Sequence, residues 1–208
     1  MLPQTATREI LQLKVVLRGI RPPIWRRLLI PAHRTLADLH DAIQAAFGWG
    51  ECHLHVFDVL GEEYGPPDPE DEMGTLNERI VIARFGLRPK MRFSYTYDFG
   101  DDWVHEISVE KVLVPETPLP DPVCLAGRRA CPPEDCGGIW GYENLLEAMR
   151  NPMHPEHEEL VTWLDDEDWD PGAFSLDNAN ARLETRFAPA RARSTQRPTK
   201  VRDPQTQE

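Results

Sequence analysis

Seven histidines, four cysteines and an excess of carboxylates are the side chains in this 208-residue chain that could do chemistry. Three of the cysteines, Cys124, Cys131 and Cys136, follow one another at C-x6-C and C-x4-C spacing in a stretch rich in Gly and Pro. Thiolates suit Zn²⁺, a borderline-soft ion that takes sulfur and nitrogen ligands in a tetrahedron. A loop of this length would wrap one ion, with a fourth ligand from Cys52, His53, His55 or a distant residue. The tight C-x2-C knuckle is absent, however. The plainer reading is preferred: small buried side chains with protonated thiols. Structural disulfides are not expected in a reducing compartment.

The histidines fall on inward positions. His40 shares a helical stripe with Leu36 and Ile43, His53 and His55 share strand parity with Phe57 and Val59, and His105 shares it with Trp103 and Ile107. Imidazole serves as a metal ligand or as an acid/base near neutral pH, and Asp98 or Asp101 would orient it. A His/Asp pocket of this kind, holding a divalent metal, would hydrolyse a phosphoester, with His40, His105, Asp98 and Asp101 as catalytic candidates. The competing account is favoured. In it each ring bonds a backbone carbonyl in the core, and Asp98 caps the turn that Gly100 closes. No Ser/His/Asp order, P-loop or dinucleotide Gly-rich turn is present, so the common acyl-transfer and nucleotide chemistries find no support.

A formal net charge of −12 argues against a protein that coats DNA. The charge is segregated, though. Residues 1–34 carry seven Arg or Lys against Glu9 alone, and residues 134–170 carry twelve carboxylates against Arg150 alone. The simple interpretation is attraction between two parts of one fold. The sharper one is a basic face on which Arg21, Arg26 and Arg27 meet phosphates or an acidic partner. Trp25, Trp49, Trp103 and Trp140 are read as core packing rather than base-stacking platforms. The acidic run 164–171 lacks the Gly-centred spacing of an EF-hand and reads as a solvated loop with Trp169 and Phe174 turned inward.

These side chains need elements to place them. Alternation over 10–18 predicts a strand, Arg21-Pro22-Pro23 a break, and 24–30 a second strand. Thr35 caps a helix over 36–47 that Gly48 stops. A third strand covers 53–60 and an acidic, Pro-rich loop 61–73. Residues 79–87 read as a short strand and then a turn at Gly86. The pair 91–97 and 103–114, joined by Asp98-Phe99-Gly100-Asp101-Asp102, is the clearest hairpin. A linker or extended edge over 115–123 leads to a Cys-containing loop, 124–138, and helices over 141–151, 155–165 and 177–187. The fold expectation is α+β: a mostly antiparallel, twisted sheet, the 36–47 helix packed on it, and a C-terminal helical part over an edge or end. The organisation expected is a lead over 1–7, one domain over 8–187 and a disordered basic tail over 188–208. No stretch is apolar enough to span a bilayer and no secretory leader is visible, so a cytoplasmic protein without a membrane partner is expected.

Three blocks then resemble a known family. They are Arg21-Pro22-Pro23-Ile24-Trp25-Arg26-Arg27 with Leu36–Gln44, Phe47-Gly48-Trp49 and His53–Phe57; Tyr95-Thr96-Tyr97-Asp98-Phe99-Gly100-Asp101-Asp102-Trp103-Val104-His105; and Cys131-Pro132-Pro133-Glu134-Asp135-Cys136-Gly137-Gly138 closing on Gly141-Tyr142. Together they resemble the plasmid pRiA4b ORF-3-like proteins, over roughly residues 8–187. The resemblance implies an α+β domain and an association with plasmids or transposable elements, and it brings no established reaction. The expectation is therefore a non-enzymatic binding or accessory module with a protein or nucleic-acid partner. The metal-dependent hydrolase is the alternative, and convergence of its His and Asp residues is what separates the two.

Overall fold

A computed structural model of the chain describes residues 8–67, 75–117, 119–165 and 169–189. The expected lead and all of the expected tail beyond Pro189 lie outside the described residues. The alternation of the N-terminal segment becomes β1 (Ile10–Leu17) and β2 (Trp25–Pro31), which pair antiparallel with Lys14 opposite Arg27 and Val16 opposite Trp25. Thr35 caps α1 (Leu36–Phe47) in a capping box with Asp38, and Gly48 ends the helix in the left-handed region at φ 95°. The chain continues through β3 (His55–Val59), β4 (Glu62–Gly65), β5 (Leu76–Asn77) and a 3-10 turn at Ile82–Phe85. The hairpin β6 (Arg92–Tyr97) and β7 (Trp103–Leu113) follows, then β8 (Val123–Arg128). Three helices complete the described chain: α2 (Gly138–Arg150), α3 (His157–Leu164) and α4 (Leu176–Phe187).

The strands form one open sheet of order β5-β4-β3-β6-β7-β1-β2-β8, antiparallel except for β4 with β5. This is the expected α+β architecture. The strand residues of one parity, among them Leu13, Val15, Leu28, Phe57, Tyr95 and Ile107, share a core with the apolar stripe of α1. The opposite parity carries polar groups: Arg27 and Gln12 both bond Glu110, and Lys14 and Arg27 lie over the ring of Trp25. At the β8 edge, α4 packs alongside. The Asn180 amide satisfies both backbone groups of Cys124, accepting from its N–H at 2.9 Å and donating to its carbonyl at 3.0 Å, so helix side chain replaces the missing next strand.

Trp140, read as core packing, is instead 82% exposed on α2; four expectations about the elements also need correction. The acidic 61–73 loop begins with a strand, β4, because Tyr64 buries against Phe85 and pairs with Phe57. Residues 79–87 form a 3-10 turn rather than a strand. Its leading Val81 bridges Thr35, and Ile82 plugs the core. The first third of the supposed Cys loop is β8, whose Cys124 side chain is buried at an inward position. His53 precedes β3 instead of lying within it, so strand parity does not apply to it.

Candidate functional site

The histidines divide into a buried group and a surface-reaching one. His40 and His55 stack face to face, 3.6 Å between ring centroids and 8° from parallel. Gln44 donates its amide N–H to the Tyr95 hydroxyl at 3.0 Å, which leaves the hydroxyl proton for His40 Nδ1 at 2.7 Å. His55 Nε2 meets Glu78 at 2.6 Å. His105 is fully buried, with the edges of Phe47 and Trp49 against it and no hydrogen-bond partner at either ring nitrogen. Burial drives the His105 imidazole down to about 4 and that of His40 to about 3, the latter also repelled by His55 and Arg186. Both rings are therefore neutral at pH 7 and lie beneath the sheet, where they cement the core. His40 also lies beside Asp41 and Glu51, and that carboxylate pair holds Arg186.

A different set converges where the three motif blocks meet. The turn after β6 places Asp98, whose Oδ1 accepts from the backbone N–H of Gly100 at 2.9 Å and of Asp101 at 3.3 Å. This is the cap expected of it, and it leaves Oδ2 facing His53 Nε2 at 3.7 Å. Asp135 brings its Oδ1 to the same nitrogen at 3.2 Å. The 131–138 loop that carries Asp135 is held from several sides. Trp49 donates its indole N–H to the Pro132 carbonyl at 3.0 Å, the Gly50 N–H donates to Glu134 at 2.9 Å, and the Tyr97 hydroxyl donates to the other Glu134 oxygen. Asp101 accepts from the Gly137 N–H at 3.3 Å. Asp101 thus serves the loop, while Asp98 serves His53.

The cysteines are distributed otherwise. Cys124 lies on β8 with its side chain in the core, and its thiol faces the Ala126 carbonyl; Cys52 is exposed. Burial pushes the thiols of Cys124 and Cys131 up, and pushes Cys136 up to about 12 with help from Asp101 and Asp135. Among the described residues, the groups of three ligand atoms lying within 4.8 Å of one another are His40/Asp41/Glu51 and His53/Asp98/Asp135, and neither contains a cysteine.

On the other side of the same loop lies a cavity of about 530 Å³. Its walls include Arg26, Trp49, Glu134, Trp169, Phe174 and Arg182. Arg26, expected on a phosphate-binding surface, is instead buried at 2% exposure, because its position on β2 has the inward parity. Its guanidinium donates to the carbonyls of Ala46 (2.9 Å), Trp25 (2.9 Å) and Arg128 (3.2 Å) and is sandwiched between the rings of Phe47 and Phe174, 4.8 and 4.4 Å from their centroids. Gly127 makes room for that stack, since a Cβ there would come within 2.6 Å of Phe174 and 2.8 Å of Arg26. Arg182 donates to the Ala45 carbonyl at 2.7 Å. Burial lowers the pKa of both guanidiniums, and among the described residues neither has a carboxylate within salt-bridge distance. The other two basic candidates remain at the surface: Arg21 is exposed, and Arg27 forms a two-point ion pair with Glu110.

Comparison with known proteins agrees with this architecture. The model of the plasmid pRiA4b ORF-3-like protein family matches residues 9–178. The chain belongs to that family. A similar member is the uncharacterized protein y4hQ of Sinorhizobium fredii, 34% identical over 178 residues that make up 85% of this chain and 91% of that protein. A solved structure of similar fold is a protein of unknown function, MM3350, from Methanosarcina mazei Go1. It has a TM-score of 0.72 and 36% identity, covering 82% of this chain and 96% of that one. The matched span of the family model contains His53, Asp98 and Asp135 as well as the cavity residues up to Asn178, and stops short of Arg182. No helix among the described residues is long and apolar enough to cross a membrane.

Glu134, Asp135, Glu78, Tyr95 and Arg182 were not anticipated as site residues. The pair Glu134-Asp135 had a visible signal, two adjacent carboxylates between the cysteines of the third motif. Arg182 had none, because its role depends on α4 docking against α1.

Proposed function

We propose that the chain is a non-enzymatic binding module, an accessory of plasmids or transposable elements, whose cavity beside the 131–134 loop receives a nucleotide-sized anionic ligand. The carrying observation is a pair of guanidiniums, buried Arg26 and solvent-exposed Arg182, on one aromatic-walled cavity, with no carboxylate paired to either among the described residues. A buried cation is costly unless it is matched by an anion. Here backbone carbonyls and two ring faces hold Arg26 in place, the Glu134 carboxylate on the cavity wall is engaged by the Gly50 N–H and the Tyr97 hydroxyl, and a bound phosphate or carboxylate would supply a direct counter-charge. About 530 Å³ falls within the usual range for a small-molecule site. The rings of Trp49, Trp169 and Phe174 suit a flat body such as a base, and guanidinium suits a phosphate. The test is a titration of the intrinsic tryptophan fluorescence with nucleoside monophosphates, with inorganic phosphate and an acidic peptide alongside. Saturable quenching by a nucleotide that weakens in Arg182→Gln supports the reading. No saturable response, or one unchanged in Arg182→Gln, overturns it, and a response to the acidic peptide alone would redirect it to a protein partner.

One observation favours the second reading, a metal-dependent hydrolase: His53 and Asp98, two of its candidate residues, do meet near the surface. The remaining candidates do not join them, since His40 and His105 are neutral in the core and Asp101 is bonded to the loop backbone.

A further inference from the structure

We infer that His53, Asp98 and Asp135 form a binding site for a divalent transition-metal ion, made without the cysteines and lying outside the anion-receiving cavity. His53 Nε2 is a buried atom with no hydrogen-bond partner, yet it faces two carboxylate oxygens at 3.7 and 3.2 Å. All three ligand atoms lie within 4.8 Å of one another, so small side-chain rotations would bring them onto one ion. Among the described residues each atom is also free to ligate. The Oδ1 of Asp98 is occupied by two backbone N–H groups, which orients Oδ2 toward the imidazole. The Asp135 side chain is 69% exposed and opens the site to solvent on that side.

The donor set decides the class of ion. One imidazole nitrogen and two carboxylate oxygens suit Zn²⁺, Mn²⁺, Fe²⁺ or Co²⁺ better than Ca²⁺ or Mg²⁺, which favour all-oxygen shells. Three protein ligands from one side leave positions for water, as in an open site. The other histidine-containing cluster, His40/Asp41/Glu51, is a weaker rival because the Arg186 guanidinium already lies between its two carboxylates. The three ligands come from the segment before β3, the β6–β7 turn and the 131–138 loop, so the ion would join three stretches distant in sequence.

Titration of the full-length, metal-stripped chain with Co²⁺, followed by visible absorption, tests the assignment, with equilibrium dialysis against Zn²⁺ for stoichiometry. The expected result is about one ion per chain, with d–d bands of a nitrogen/oxygen site and no thiolate-to-metal charge-transfer band. Affinity should fall at least about tenfold in Asp135→Asn. That variant alters an exposed side chain and leaves the fold intact, whereas His53→Ala and Asp98→Asn remove residues packed in the turn. A Cys131→Ser/Cys136→Ser variant should bind as the parent does. A charge-transfer band lost in the cysteine variant, binding lost in Asp41→Asn but not in Asp135→Asn, or no Co²⁺ binding at all would each overturn the assignment. Because nucleotide titration reads the cavity and Co²⁺ absorption reads this centre, either can fail without the other.

Discussion

His105→Phe isolates one buried ionisable group. The imidazole is 0% exposed, and its rings of contact are Phe47 at 5.0 Å, Trp49 at 5.3 Å and Tyr95 at 5.3 Å between centroids. In the fold it titrates at about 4, driven down by burial and opposed in part by the nearby backbone of Trp103 and Tyr95, which lies close to the ring nitrogens but outside good hydrogen-bond geometry. In the unfolded chain a histidine titrates near about 6.5. The folded value is the depressed one, so the unfolded state takes up the extra proton first. Stability is therefore complete above about pH 6.5, falls as pH drops below it, and levels off below about pH 4. One such site costs about 2 kcal/mol between about pH 7 and pH 5, a figure that barely moves so long as the folded value stays below about 4.5. His40, at about 3 in the fold, adds a similar amount, so the parent chain should lose about 4 kcal/mol over that interval from these two groups. Phenylalanine keeps a flat aromatic ring, larger by one ring atom, and has no ring nitrogen. At pH 7 the variant should be at least as stable as the parent, since two unpartnered nitrogens leave the core. Between pH 7 and pH 5 it should lose about 2 kcal/mol less. Urea unfolding at constant ionic strength across this range measures both quantities. If the parent and His105→Phe have the same pH dependence, the imidazole is not the group that loses stability below neutral pH and the reasoning fails, whereas a uniform loss at all pH values measures only the fit of the larger ring.

Two further changes probe the site's framework. In Gly141→Ala a Cβ would sit 1.8 Å from the Cys136 carbonyl oxygen, so α2 and the 131–138 loop must separate; a loss of about 3 kcal/mol or more is expected in chemical denaturation. Arg26→Lys replaces a fork that reaches three carbonyls and stacks between two rings with a single ammonium, and should cost about 2 kcal/mol by the same assay.

The parts of the fold that could be read from the sequence are those in which one local period decides the outcome. The helix over 36–47 matched α1 because its stripe, its Thr35 cap and its Gly48 stop all agree, and the β6–β7 hairpin matched because strict alternation flanks a turn with Asp98 and Gly100. What escaped was decided by contacts remote in sequence. β8 is a strand because β2 offers an edge to its Val123–Arg128 backbone, and the composition around Gly127 says loop. β4 holds because Tyr64 finds Phe85. The same division runs through the site. His40, His55 and His105 were placed inward correctly by period. Arg26 was misjudged because a basic residue on a strand was taken for surface although its parity matches Leu28 and Ile30. Asp135 and Arg182 acquire their neighbours only when a loop and a helix dock, which no period encodes.

The third motif illustrates why spacing alone misleads about chemistry. Its cysteines suggest a thiolate site, yet the contacts of the loop run through other atoms: the Pro132 carbonyl, both Glu134 oxygens, the Gly137 N–H, and the glycines that allow close backbone approach. Gly138 sits at φ 66°, and a Cβ there would come within 2.6 Å of the Asp101 carbonyl oxygen, so the loop can meet the β6–β7 turn only where side chains are absent. Motif residues far apart in sequence therefore serve one object, a clasp that fixes the 131–138 segment against Trp49, Tyr97 and Asp101. That clasp is also a shared wall: Glu134 faces the cavity with Arg26 and Arg182, while its neighbour Asp135 faces His53. An ion held by Asp135 would restrict the same backbone that shapes the cavity. Any coupling between ion and anion must then be reciprocal, each changing the other's affinity by the same factor.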